Sequence, residues 1–136
     1  MKKCKLEFSS HTANLALMRN AVRTFLDGYD LTEKERTLMI LGVDEACTNI
    51  IRYAYDLADD QLILLEIDRL PKGDGLRVRL RDYGKGIAPT ALNTKQTKRA
   101  RPGGFGLHLM RAAFDRVHYA PKKRGTELVL TKYFDS

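Results

Sequence analysis

The chain has 136 residues, of which 43% are hydrophobic and 30% charged, and its formal net charge is +7. This length and composition fit one soluble domain with a single core, and no apolar run approaches the roughly 20 residues that cross a bilayer. The positive charge permits an anionic nucleotide, a nucleic acid or an acidic protein surface as partner. The basic residues are not interleaved with aromatic residues as in RNA-binding surfaces.

The N-terminus and the cysteines bear on cellular location. Residues 1–8 are basic but lack the apolar segment of a secretory signal. Cys4 and Cys47 lie far apart and have no metal-ligand spacing, so we interpret Cys47 as a buried thiol. We therefore expect a cytoplasmic protein that contacts neither a membrane nor nucleic acid directly.

Hydrophobic spacing and turn residues predict the elements in chain order. They are a strand at 4–8, helices at 11–27 and 32–55, strands at 61–69 and 76–82, a helix at 105–117 and a last strand at 126–134. A further short strand at 117–120 is an open alternative. Hairpin-joined strands and clustered helices predict an α+β fold in one domain over residues 1–136. In this two-layer sandwich, helices lie on one face of a mostly antiparallel sheet.

An acid and an amide stand one turn apart on the second predicted helix. Glu45 and Asn49 are four residues apart, at the edge of an apolar stripe, where side chains can face a cleft between helix and sheet. A carboxylate there can accept a proton from an attacking hydroxyl or water. An Asn oxygen is a suitable ligand for Mg²⁺. Gly42, on the same side of the helix, indicates a close backbone approach.

A second motif, Asp82-x-Gly84-x-Gly86, follows the strand at 76–82. Val78, Leu80 and Asp82 share one face of that strand, so Asp82 should lie at the mouth of the core. A carboxylate there can accept a hydrogen bond from an exocyclic amine such as that of adenine, and the glycines allow a tight turn and close ligand approach. A simple Asp-initiated turn without a ligand is the alternative.

The segment at 87–102 is longer than an ordinary connection and is typical of a lid or a mobile loop. It carries basic residues suited to phosphate or partner contacts, namely Lys95, Lys98, Arg99 and Arg101. Gly103, Gly104 and Gly106 then precede a helix whose free N–H groups suit a phosphate. Their spacing fits neither a P-loop nor a dinucleotide fingerprint.

The last predicted strand contributes a hydroxyl. Thr126 follows Gly125 and shares strand parity with Leu128 and Leu130, so its side chain should point toward the helices, near Asp82. An ordinary β-branched strand residue is the alternative interpretation.

Together, these motifs resemble the N, G1 and G2 boxes and the closing Gly-Thr of the Bergerat-fold (GHKL) ATPases. Within that superfamily the chain resembles the anti-sigma-factor serine/threonine kinases over nearly its whole length. The resemblance rests on four segments: Glu45-x-x-x-Asn49, Asp82-x-Gly84-x-Gly86, Gly104-x-Gly106 and Gly125-Thr126. The resemblance implies ATP and Mg²⁺ as cofactors, a lid at about residues 87–103 and a homodimer. It also implies that the protein phosphorylates a small anti-anti-sigma (STAS-type) protein and sequesters a sigma factor.

The resemblance also implies a role for each site residue. Glu45 would be the general base, Asn49 the Mg²⁺ ligand and Asp82 the group that reads the adenine amine. The remaining cofactor-binding residues would be Gly84, Gly86 and Thr126 around adenine, and Gly103, Gly104 and Gly106 at the lid and phosphates. Histidine kinases of the superfamily often have Asn at the position of Glu45, so this residue favours a hydroxyl-phosphorylating kinase.

One departure and two alternatives stay open. Arg52-Tyr53 stands where relatives often have His at the second position, which leaves a phosphate role for Arg52 undecided. The first alternative is an ATP-binding regulatory module that sequesters a partner with little or no kinase activity. The second is a basic domain associated with nucleic acid.

Overall fold

The computed structural model describes residues 3–85 and 106–134. The elements are β1 (Lys3–Ser9), α1 (Leu15–Leu26), α2 (Glu33–Asn49), β2 (Leu62–Arg69), β3 (Gly75–Asp82), α3 (Gly106–Ala113), β4 (Arg116–Pro121) and β5 (Thr126–Tyr133). Short 3₁₀ turns occur at Thr12–Asn14 and Pro71–Gly73. No helix within the described ranges has the length and apolarity needed to traverse a bilayer.

The strands form one antiparallel sheet in the order β1-β2-β3-β5-β4. Its pairing places Asp82 opposite Ile63 on one side and opposite Thr126 on the other. The inward side chains of the central strands are buried together with those of the helices, for example Leu80 and Leu130. The predicted α+β sandwich is confirmed, and Asp82 and Thr126 lie side by side at one end of its central strands.

Helix α2 begins where the sequence predicts. The Thr32 hydroxyl accepts the N–H of Glu35 at 3.0 Å, and the Glu35 carboxylate accepts the N–H of Thr32 at 2.9 Å, which together make a capping box. The predicted close approach at Gly42 is also present, since a Cβ there would lie 3.3 Å from the Phe114 ring. Helix α2 therefore packs tightly on the C-terminal half of α3 and on Phe114, which follows it.

The second helical segment ends at Ala54, close to the predicted end at about residue 55, but its last five residues are not α-helical. The α-helix stops at Asn49, and residues Ile50–Ala54 form a wider π-helical turn in which the Tyr55 N–H donates to the Ile50 carbonyl at 3.0 Å. Asp56 and Leu57 follow with left-handed φ angles of 51° and 69°. This unusual backbone turns the chain sharply toward β2, which helical spacing alone could not indicate.

The third helix is shorter than predicted. It ends at Ala113, and Val117 lies in β4, so the helical range to 117 was wrong and the open alternative of a strand is right. The Asp115 N–H donates to the Thr131 carbonyl at 2.8 Å, and β4 then pairs along β5. Pairing with the sheet edge therefore overrides a helical hydrophobic spacing that continued through Phe114 to Val117.

Candidate functional site

Asp82 is a buried carboxylate at the end of β3. Its side chain is only 2% exposed, and Oδ1 accepts the N–H of Gly84 at 3.0 Å. Burial raises the pKa of Asp82 above its ordinary value, while the Gly84 N–H, the Arg81 guanidinium and the backbone of Thr126 partly oppose that rise. Backbone groups thus hold an acceptor-rich side chain in the core, as recognition of an amine would require.

The neighbouring strand end is shaped around Asp82 by a glycine. Gly125 has a φ of +81°, and a Cβ there would overlap the Asp82 carbonyl and lie 2.7 Å from Cα of Tyr83. Thr126 follows directly, is buried and lies opposite Asp82 in the sheet. The Gly-Thr pair therefore lets β5 approach β3 closely and brings a hydroxyl-bearing side chain beside the carboxylate.

The turn after Asp82 lies against the end of the second helical segment. A Cβ on Gly84 would overlap the Ala54 carbonyl oxygen and come within 2.8 Å of the Tyr55 ring. The Lys85 N–H donates to the same Ala54 carbonyl at 3.1 Å. These contacts join the segment that follows Asn49 to the turn that follows Asp82.

Glu45 lies half-buried on α2, next to a charged pair. Burial raises the pKa of Glu45, the neighbouring Asp44 raises it further and Arg52 lowers it. Asp44 is itself paired with Arg19, whose guanidinium nitrogen lies 3.1 Å from its carboxylate. A carboxylate with a raised pKa is a stronger base than an exposed one, which suits proton abstraction.

Asn49 is buried without a polar partner. Its side chain is 2% exposed, and neither Oδ1 nor Nδ2 has a hydrogen-bond partner in the part of the chain that the structure describes. Leaving such a group unpaired costs on the order of 1–3 kcal/mol, so an unpaired amide at this place fits a site that a ligand would complete. An amide oxygen can coordinate Mg²⁺, so Asn49 fits the metal ion that the resemblance implies.

Within residues 3–85 and 106–134, no group of three or more His, Cys, Asp or Glu side chains could hold a metal ion. Magnesium usually keeps several waters and substrate phosphates with only one or two protein ligands. A single Asn ligand therefore remains compatible with this ion.

Some predicted site residues lie outside the described ranges. Gly86, Gly103 and Gly104, the lid at 87–103 and its four basic residues are among them. Gly106 is the first residue of α3. Among the remaining predictions, Glu45 and Asn49 lie on α2, and Asp82, Gly84 and Thr126 lie at or beside the paired ends of β3 and β5.

Three residues that the sequence did not single out support the turn after Asp82. The Tyr55 hydroxyl accepts the Tyr83 N–H at 2.7 Å, and the Arg124 side chain donates to the Tyr83 carbonyl at 3.0 Å. The Arg81 guanidinium donates to the Asp82 carbonyl and lies 4.2 Å from the centre of the Tyr83 ring. Nothing in the hydrophobic spacing distinguishes these residues, because their contacts depend on tertiary structure.

Comparison with known proteins decides the family. A model described as "Histidine kinase-like ATPase domain" matches residues 8–132. The chain belongs to this family. Among curated relatives, an anti-sigma F factor of Clostridium perfringens (strain SM101) is 28% identical over 136 residues, covering 96% of this chain and 95% of the relative. An anti-sigma F factor of Clostridium botulinum (strain Alaska E43) is 30% identical over 138 residues, covering 98% and 95%.

A solved structure supports the fold of this family member. The crystal structure of the RsbU and RsbW domains of a Mycobacterium tuberculosis protein aligns with a TM-score of 0.67 at 14% identity. The alignment covers 100% of this chain and 35% of that longer chain. At this identity the likeness shows a shared fold, and the resemblance to the anti-sigma-factor kinases is confirmed by the sequence relatives together with the family match.

Proposed function

We propose that the protein is an ATP-dependent serine/threonine kinase that acts as an anti-sigma factor in a partner-switching pathway. One observation carries this proposal: a buried amide without a partner, Asn49, lies one helical turn from Glu45, whose pKa is raised. Most buried polar groups in a core are paired, and burial together with the neighbouring Asp44 raises the pKa of Glu45. This combination suits a site completed by a metal–nucleotide complex.

The proposed adenine site is the paired end of β3 and β5. The Asp82 carboxylate would accept a hydrogen bond from the exocyclic amine, and Thr126 would contact the base beside it. Gly84 supports this role because its lack of a side chain keeps the turn close to the helix end. Gly86 would extend the same turn.

The proposed phosphate site lies around Asn49 and Glu45 on α2. Asn49 would hold Mg²⁺, and a bound Mg²⁺ ion would neutralise charge that develops on the phosphates. Gly103, Gly104 and Gly106 would support the phosphates and the lid, where Lys95, Lys98, Arg99 and Arg101 could contribute positive charge.

In the proposed reaction, Glu45 accepts the proton of a serine or threonine hydroxyl. The hydroxyl oxygen then bonds to the γ-phosphorus of ATP, the bond from that phosphorus to the bridging oxygen breaks, and ADP leaves. Glu45 must be ionised to take the proton. Activity should therefore be lost as the pH falls through its raised pKa, which lies above the ordinary glutamate value.

We propose two protein partners, of which the sigma factor is supported by the name anti-sigma F factor that the relatives carry. They are a sigma factor, which the protein would sequester, and an anti-anti-sigma (STAS-type) protein, which it would phosphorylate. We further propose that it acts in the cytoplasm as a homodimer, which sedimentation of the purified protein would test.

The decisive experiment is transfer of radiolabelled γ-phosphate from ATP to STAS-type proteins of the source organism. Wild type should label one of them. Glu45→Gln should lose about 10²–10⁴-fold in rate, the usual contribution of a general base, while it retains ATP binding. Full activity in Glu45→Gln would contradict the proposed base. If wild type binds ATP and a sigma factor but labels no STAS-type protein, the regulatory-module alternative replaces the kinase.

A further inference from the structure

A tyrosine hydroxyl joins two strands beyond the last pair of their ladder. The final paired residues of β2 and β3 are Ile63 and Asp82, so the next facing positions are Leu62 and Tyr83. The Tyr55 hydroxyl donates to the Leu62 carbonyl at 2.5 Å and accepts the Tyr83 N–H at 2.7 Å. The side chain therefore bridges the backbones of the two strands where direct pairing has ended.

The position of Tyr55 depends on the unusual backbone around it. The π-helical turn before it and the left-handed Asp56 and Leu57 after it set its place at the helix end. Its side chain is 7% exposed, and burial raises the pKa of its hydroxyl, which therefore stays protonated and able to donate. A buried hydroxyl that both donates and accepts a hydrogen bond is held in one position.

The bridge lies next to the residue that reads the base in our proposal. Tyr83 immediately follows Asp82, and the next N–H along the chain, that of Gly84, donates to the Asp82 carboxylate. The Gly84 backbone lies against the Tyr55 ring, so the hydroxyl and the ring contact successive residues of one turn. A shift of this turn would move the Gly84 donor and rotate the carboxylate.

We propose that Tyr55 is a positioning residue for adenine recognition: its hydroxyl holds the Tyr83-Gly84 turn so that the Asp82 carboxylate faces the exocyclic amine. This inference rests on the proposed function, because it assigns a support to the proposed base-reading residue. It predicts that loss of the hydroxyl weakens recognition of the amine specifically rather than binding of the triphosphate.

The test is calorimetry of two magnesium–nucleotide complexes. One is ATP, and the other is purine riboside triphosphate, which lacks the exocyclic amine. Tyr55→Phe keeps the ring and removes both hydroxyl bonds. Tyr29→Phe is the matched control, because the Tyr29 hydroxyl is also buried but has no hydrogen-bond partner among the described residues.

Wild type should prefer ATP. In Tyr55→Phe the affinity for ATP should fall on the order of tenfold, the effect of one or two lost hydrogen bonds. Its affinity for purine riboside triphosphate should stay within about twofold, and Tyr29→Phe should change neither. Equal loss for both nucleotides would reveal a merely structural role and overturn the inference, as would unchanged ATP affinity. Wild type that fails to bind ATP would overturn the proposed function itself.

A second measurement does not depend on the variant folding. Amide hydrogen exchange of wild type should show that the Tyr83 and Gly84 amides gain protection when ATP binds, and gain less with purine riboside triphosphate. Equal protection by the two nucleotides would overturn the inference.

Discussion

The two ends of the proposed nucleotide site are built differently. At the sheet end, Asp82 accepts a backbone N–H, and its neighbouring turn is anchored by Tyr55 and Arg124. At the helix end, Asn49 is buried with no partner in the described ranges, and the pKa of Glu45 is raised by burial. One end is satisfied by the protein alone, whereas the other contains groups that a ligand would complete.

This difference separates recognition from chemistry. A base has a fixed shape, and a preformed pocket recognises it at little cost in ordering. Phosphoryl transfer needs groups that interact most strongly with the charged, metal-bound phosphates, so unsatisfied groups are useful there. Substitutions that disturb the close backbone packing at the sheet end should therefore damage the fold and binding together, and a substitution of the unpaired amide at the helix end should separate stability from function.

The largest expected effect is a loss of stability on substitution of Gly125 at the sheet end. Gly125→Ala places a Cβ against the Asp82 carbonyl at a left-handed φ, so we expect the free energy of unfolding to fall by about 2 kcal/mol or more. Urea denaturation measures this loss. Gly28→Ala is the control, because its Cβ would lie an ordinary 3.5 Å from the Phe25 carbonyl. Equal stability of the two variants would show that β3 and β5 are not held together as described.

A substitution at the helix end should instead increase the stability of the ligand-free protein. Asn49→Leu removes an unpaired buried amide of similar size, so the ligand-free protein should gain about 1 kcal/mol of stability. The same variant should lose the Mg²⁺-dependent rise in melting temperature with ATP.

The neighbouring Thr48→Val is the control for that experiment. The Thr48 hydroxyl already donates to the Asp44 carbonyl at 2.9 Å. Its loss should destabilise slightly and leave the nucleotide response intact. A destabilised Asn49→Leu that still responds to Mg²⁺ and ATP would contradict the assignment of Asn49.

The smallest expected effects are shifts in the pKa of Glu45, the proposed general base. Arg52 lowers the pKa of Glu45 and Asp44 raises it, so Arg52→Gln should raise that pKa and Asp44→Asn should lower it. Carboxyl ¹³C NMR titration measures both shifts without any substrate. The low-pH limit of phosphate transfer should move with the pKa in each variant. Shifts in the same direction for both variants would refute the electrostatic account of Glu45.

The sequence could predict the parts of the site that repeat along regular elements. Strand parity placed Asp82 and Thr126 on the buried face, and helical spacing placed Glu45 and Asn49 on one side of α2. These positions follow from the periods of 2 and 3.6 residues that strands and helices share in all proteins. The capping box at Thr32 was equally readable, because its donors and acceptors are local.

Other parts depend on contacts between distant residues. The π-helical turn at Ile50–Ala54 and the Tyr55 bridge to Leu62 and Tyr83 arise only when α2 meets the sheet. The switch from helix to strand at Val117 is likewise decided by pairing with β5. Local spacing contains no information about these partners, which explains why the π-helical turn was not predicted and why the predicted end of the third helix was wrong.

Asp82→Asn provides a test in which loss of binding cannot be ascribed to unfolding. Because burial raises the pKa of Asp82, its ionised form is disfavoured by folding, and this cost grows as the pH rises from the ordinary aspartate pKa to the raised value. It is fully present above the raised pKa. The Asn variant should therefore be at least as stable as wild type at neutral pH, and its advantage should disappear at a pH below the ordinary aspartate pKa.

Calorimetry of Mg²⁺–ATP with wild type and Asp82→Asn tests the central claim most directly. The carboxylate offers only acceptors, whereas the Asn amide would present an N–H donor toward the adenine amine. We predict that wild type binds and that the variant loses at least about tenfold in affinity, as expected for a mismatched buried polar contact. Equal affinity of the two folded proteins, or no binding by wild type, would contradict a nucleotide site at this end of the sheet.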